Sequence, residues 1–251
     1  MDEPSAMEAY LDYGAATPMD PRVVDAMRPY LSERFWNPSA PYARAREAKH
    51  ALEEAHARLA HVIGARADSI TLTAGATEAN NLAFAVTDGA VVVDAIEHES
   101  VLACAGVRPH VVVGVDACGR VDPTAVAVAL TPEVGLVSMG LANGEIGTVQ
   151  PVREIARAVA RERRRRLEVS ERRPLWLHVD ASQAAGYLSV NVSSLGADLL
   201  TLSAAKVYGP KQVGLLWAAD GVELRPLVLG GGQEGGLRSG TENVAGAVAF
   251  A

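Results

Sequence analysis

The chain has 251 residues, 49% hydrophobic and 21% charged, which excludes a disordered or fibrous protein and suits one large α/β domain or two small ones. Its net charge of −7 weighs against nucleic acid as the main partner. No apolar run reaches the ~20 residues of a membrane helix, and the N-terminus lacks a charged segment leading into an apolar one, so no membrane association is expected and the cytoplasm is the expected location.

From the N-terminus, residues 44–63 place Ala45, Ala48, Leu52, Ala55, Leu59 and Val62 three and four apart. That spacing makes one apolar helical stripe, and Gly64 is its stop. Strand-like apolar runs follow at 69–73, 90–96, 110–115, 134–139, 175–180, 198–203 and 213–217. Several are apolar on both faces, the pattern of a sheet covered on both sides. Pro151 opens a further helix containing Val152, Ile155, Ala156 and Val159. The fold class is therefore α/β, a mainly parallel seven-stranded sheet with helices on both faces. Residues 162–174 read as a helix end and exposed loop rich in arginine. This basic stretch is either a solvated helix terminus or a docking patch for an acidic partner. Thr241 is a candidate cap for a last short helix that stops at Ala251, and the missing stop signal suggests a truncated chain.

The chemistry collects at strand ends. Of only three lysines, Lys49 lies in a charged helical stretch and Lys211 follows a Gly-Pro turn. Lys206 follows the run 198–203 through a small-residue turn, and Asp180 ends the run 175–180. An amine that can condense with an aldehyde and a carboxylate that can pair with a ring nitrogen are what pyridoxal phosphate requires. Gly75, Ala76 and Thr77 stand where a strand turns into a helix, a place for a phosphate or an ordinary βα turn. His98, Gln183 and Ser203 also follow strands, and each taken singly reads equally as structural. Their convergence favours a ligand, because open α/β sheets bind ligands at that edge. Gly230–Thr241 is either a flexible loop or an anion loop with Arg238 and Thr241 near a phosphate. Cys104 and Cys118 lack metal-ligand spacing, read as free thiols, and no metal site is expected.

Together the segments 10–18, 37–39, 75–81, 97–98, 143–148, 178–183, 206–211 and 230–243 resemble the cysteine desulfurases, pyridoxal-phosphate enzymes of the class-V aminotransferase group. The resemblance implies an aspartate-aminotransferase-like large domain over 19–251, with 1–18 contributing to a small domain or the active-site edge and the C-terminal small domain absent. It implies that Lys206 carries the cofactor and moves the substrate α-proton, Asp180 pairs with the pyridine nitrogen, His98 stacks on the ring and Gln183 bonds its oxygen. Gly75, Ala76, Thr77 and Ser203 would hold the phosphate, Asn143 would contact the cofactor, and Thr241 would reach the phosphate of a partner subunit in a homodimer. Asn37 and Arg238 would meet the substrate, L-cysteine or a similar small amino acid, and a sulfur-acceptor protein is a possible partner. Two departures stand out: Ala205 replaces a usual histidine, and Gly144 replaces the second of two asparagines. Neither cysteine matches the position of the family's catalytic one. The departures keep open another class-V chemistry (selenocysteine lyase, aminotransferase or epimerase) or a non-catalytic dimerising module.

Overall fold

The computed structural model describes residues 9–251. Seven strands form one sheet: β1 (Ile70–Thr73), β2 (Ala90–Asp94), β3 (His110–Val113), β4 (Val134–Gly140), β5 (Trp176–Asp180), β6 (Leu199–Ser203) and β7 (Gly214–Ala218). Their order is β1-β7-β6-β5-β4-β2-β3. β7 runs antiparallel to both β1 and β6, and the remaining pairs are parallel. Each expected strand is present, with ends within two residues of those expected: β4 runs one residue longer, to Gly140, and β7 is shifted one residue, to Gly214–Ala218. Ser69 joins a short 3₁₀ turn (Ala67–Ser69) instead of β1.

The helices are α1 (Pro21–Met27), α2 (Pro29–Ser32), α3 (Ala43–Ile63), α4 (Ala76–Phe84), α5 (Glu99–Gly106), α6 (Pro123–Ala129), α7 (Val152–Glu168), α8 (Val192–Leu195) and α9 (Val244–Phe250). Alternate strand residues enter two separate cores. Val92, Val137, Met139, Leu200 and Leu215 pack with α3, α6 and α7, whereas Val91, Val93, Leu136, Leu199 and Leu216 pack with α4 and α5. A period of two with both sets apolar is the arithmetic of a sheet covered on both faces. Gly64 ends α3 in the left-handed conformation at φ 71°, where an added Cβ would also lie 2.1 Å from Asn191 Nδ2.

Two expectations need correction. Asn243, not Thr241, caps α9: its side chain accepts from Gly246 N. The arginine-rich stretch is only partly a solvated helix end. Arg166 is 2% exposed, pairs with Glu162, and donates to the carbonyls of Thr131, Val134 and Arg173. Arg163 bonds the Leu175 carbonyl and pairs with Asp198. Both side chains reach backbone carbonyls where β4 and β5 begin, so these cations serve the amino edge of the sheet.

Candidate active site

The carboxyl ends of the central strands open into a cleft of about 1050 Å³. Nine of the anticipated residues line it. Gly75, Ala76 and Thr77 come from the turn into α4, and His98 and Asn143 from the loops after β2 and β4. Asp180 and Gln183 come from the end of β5, and Ser203 and Lys206 from the end of β6. Three do not reach it. Asn37 is exposed, and its Oδ1 accepts from Ser39 N. Arg238 pairs with Glu78 at 3.0 Å beside a separate, small cavity, and Thr241 is exposed outside the cleft. The segment 230–241 is not a free loop: Glu234 within it accepts from Leu72 N and bonds His56.

The strand register builds the floor. Gly140 of β4 pairs with Asp180 of β5, and Asp180 with Thr201 of β6. One Asp180 oxygen accepts from Ser182 N at 2.9 Å and the other from Asn80 Nδ2 at 2.8 Å. At the anion end, Gly75 takes φ 99° and starts α4, leaving the N–H groups of Ala76 and Thr77 without intrahelical partners. Gly214 must also lack a side chain, since a Cβ there would lie 2.6 Å from the Gly75 carbonyl carbon.

Lys206 sits on the 3₁₀ turn Ala204–Lys206 that follows β6. Its Nζ donates to the carbonyls of Gly14 and Ala15 at 2.6 and 2.7 Å, so a strap of residues 12–17 lies over the amine. The strap is anchored by Thr17, whose N and Oγ1 both donate to the Ala205 carbonyl. Burial pushes the Lys206 amine below its ordinary proton affinity, opposed by the charges of Asp12 and Asp180. Lys49 instead pairs with Glu53 on an exposed helix face. Gln183 Nε2 donates to the same Gly14 carbonyl at 2.8 Å, and it crosses the space beside Gly144, where a Cβ would lie 2.5 Å from that nitrogen. The glycine at 144 is therefore matched to the glutamine.

Several site residues carried no role in the sequence reading. Asp94 and Glu97 line the cleft, and desolvation pushes both carboxyls upward, Glu97 further through the charges of Asp94 and Asp180. Asp94 ends an apolar run as Asp180 does, so the rule that found one also points to the other. Asn80 and Ser182 are buried, and no local pattern marks them as facing Asp180.

His178, fully buried in β5, bonds Ser138 and Thr201, and burial lowers its pKa to about 4. The unfolded histidine titrates near 6.5, so between pH 6.5 and about 4 the unfolded chain binds a proton that the folded chain refuses. Stability is complete above 6.5 and falls with acidification, by roughly 3 kcal/mol at pH 4. His56 has the opposite sign. Burial pulls it down, but the Glu234 hydrogen bond and charge carry it above its ordinary value. Its contribution is present below pH 6.5 and lost as pH rises through that raised value. In urea midpoints plotted against pH, His178→Gln is expected to flatten the loss of stability between pH 6.5 and about 4 relative to the parent protein. An unchanged acid slope in that variant would refute the assignment.

A strand-end lysine and a strand-end aspartate share the cleft with a helix N-terminus, and among the described residues the lysine forms no ion pair with a carboxylate. That donor set fits pyridoxal phosphate, so the fold and site define a protein built to hold this cofactor. The class-V aminotransferase family model matches residues 9–251, and the chain belongs to that family. It is 40% identical to the cysteine desulfurase IscS of Dictyoglomus turgidum, over 96% of this chain and 61% of that protein. It is 41% identical to the cysteine desulfurase IscS 1 of Archaeoglobus fulgidus, over 96% and 63%. Among solved structures, a NifS-like protein superposes with a TM-score of 0.90 at 33% identity, covering 97% of this chain and 68% of that one. A structure described as SspA in complex with cysteine gives 0.87 at 34%, covering 96% and 70%. The chain thus spans 61–63% of the length of these two curated relatives.

Proposed function

We propose that the protein is a pyridoxal-phosphate-dependent cysteine desulfurase, converting L-cysteine to alanine and passing the sulfur to a thiol as a persulfide. One observation carries this reading: the amine of Lys206 and the carboxylate of Asp180 line one cleft, and burial favours the reactive, neutral amine. The desulfurase names of the relatives and the cysteine in the SspA structure support the substrate.

When bound, the cofactor supplies the electron sink for a carbanion at the substrate α-carbon. The chain's own residues do the rest. Asp180, oriented by Ser182 N and Asn80, holds a carboxylate for the ring nitrogen. Lys206, whose amine is held by the Gly14 and Ala15 carbonyls, would hold the cofactor and would move the substrate α-proton. His98 and Gln183 would border the ring, with Asn143 beside it, and Thr77, Ser203 and the N–H groups at the start of α4 would hold the phosphate. Neither cysteine lines the cleft, and burial pushes the Cys104 thiol up, so the sulfur-accepting thiol is assigned to neither. Thr241, outside the cleft, is available for the phosphate of a second subunit. A cytoplasmic homodimer that passes sulfur to an acceptor protein completes the reading.

A different class-V reaction is favoured by one observation. Gln183 bonds Gly14 through the space at Gly144, an arrangement that two asparagines at 143 and 144 would not allow. Product analysis separates the two. The full-length protein with L-cysteine and a reductant should release alanine and sulfide in equal amounts. A keto acid or racemised cysteine in their place would overturn desulfuration.

A further inference from the structure

Between Asp180 and His98 lie Asn80 and Ser100, and nothing above links the two ends through them. Asn80, on α4, is completely buried. Its Nδ2 donates to Asp180 Oδ2 at 2.8 Å and to Ser100 Oγ at 2.9 Å, which uses both amide hydrogens. Ser100 Oγ, accepting from Asn80, gives its own hydrogen to His98 Nδ1 at 2.8 Å. Ser100 N also donates to His98 Nδ1, at 3.0 Å. Two donors converge on that nitrogen, so the neutral imidazole carries its proton on Nε2. The Asn80–Asp180 direction follows from an amide nitrogen that can only donate facing a carboxylate that can only accept, and the Ser100–His98 direction follows from the Ser100 backbone N–H, which makes Nδ1 an acceptor.

Among the described residues, Asn80 Oδ1 has no hydrogen-bond partner although it is buried. Turning the amide over would set its oxygen against the Asp180 carboxylate, acceptor against acceptor, and would draw the Ser100 hydroxyl hydrogen away from His98. A residue kept only for packing has no reason to carry a buried, orphaned acceptor. We propose that Asn80 is a positioning residue which, through Ser100, sets the Asp180 carboxylate and the His98 tautomer as one unit. The proposal rests on the cofactor reading above for its purpose but not for its geometry, and its test begins on protein without cofactor.

Long-range ¹H–¹⁵N spectra of the unloaded protein at pH 8 should show His98 as the Nε2–H tautomer. Ser100→Ala should shift the Nδ1 resonance by removing one of its two donors. Asn80→Asp should shift it too, although residue 80 does not touch His98, because the Ser100 hydroxyl turns to donate to the new carboxylate. Asn80→Asp is nearly isosteric and Ser100→Ala removes a single oxygen, so at least one of them is expected to fold, and melting temperatures check this. An Nδ1–H tautomer in the parent protein, or an Nδ1 resonance unmoved in the folded variants, overturns the relay. Pyridoxal phosphate affinity is the second readout. Asn80→Ala should weaken binding about tenfold, and the double variant with Ser100→Ala should be no weaker than Asn80→Ala alone, since both cut one chain. Additive losses would overturn the single unit. A parent protein that binds no cofactor would sink the proposed function while leaving the tautomer result to stand or fall separately.

Discussion

Lys206→Ala is expected to abolish covalent capture of pyridoxal phosphate: borohydride reduction should leave a label on Lys206 in the parent chain and none in the variant. Turnover of the full-length protein should fall by ~10³-fold or more, because the variant loses both the attachment point and the proton-transfer group. The fold should survive. The amine's two bonds to the Gly14 and Ala15 carbonyls disappear, but Thr17 still holds the strap to Ala205, and the Tyr208 backbone N–H still donates to Thr17 Oγ1. The same contacts predict how labelling depends on pH. Only the neutral amine attacks an aldehyde, so the initial rate should rise with pH toward the amine's lowered pKa and then level off. A label that persists in Lys206→Ala, or maps to Lys49 or Lys211, would end the assignment.

Arg166→Ala should be the costliest single change to stability away from the cleft, at about 3–5 kcal/mol in urea unfolding. The guanidinium donates to Glu162 at 2.9 Å and to the carbonyls of Thr131, Val134 and Arg173 at 2.8, 2.9 and 3.2 Å. Alanine would take the guanidinium from the buried Val134 carbonyl and from the part-buried carbonyls of Thr131 and Arg173, and leave Glu162 with Arg165 alone. Glu162 is held at about 2 by the Arg165 hydrogen bond first and by Arg166 after it, so its carboxylate stays charged in the variant. Arg166→Lys keeps the charge but cannot serve four acceptors spread around one plane, and it should recover only part of the loss. Cofactor affinity at the opposite end of the strands should hardly move. A loss under ~1 kcal/mol would mean that water or Arg173 replaces the guanidinium.

The strands were legible because each is an apolar run bounded by turn residues, and Asp180 and Lys206 were legible because each closes such a run. Helix α3 was legible from its stripe and from Gly64, except at the last turn, where Val62 is exposed and Ile63 takes the buried place. Arg166 was not, since within its own helix it is one of several consecutive arginines. Only the approach of the β4 and β5 starts removes it from water. Thr241 looked like a cap because threonine is a good one, but the chain enters the helix two residues later and Asn243 does the capping.

The sequence by itself determined the covered parallel sheet, the lysine–aspartate pair and the family, because these depend on local periodicity and on residue order. Tertiary structure alone decided that Gly14 and Ala15 cover the lysine, that Gln183 fills the space left at Gly144, and that Asn80 joins Asp180 to His98. Apart from the local Ser100–His98 bond, these contacts join residues 20 to 192 positions apart. The physical reason is that a hydrogen bond between distant residues leaves no periodic trace in the chain. It exists only once the strand register has set the donor and the acceptor within about 3 Å of each other.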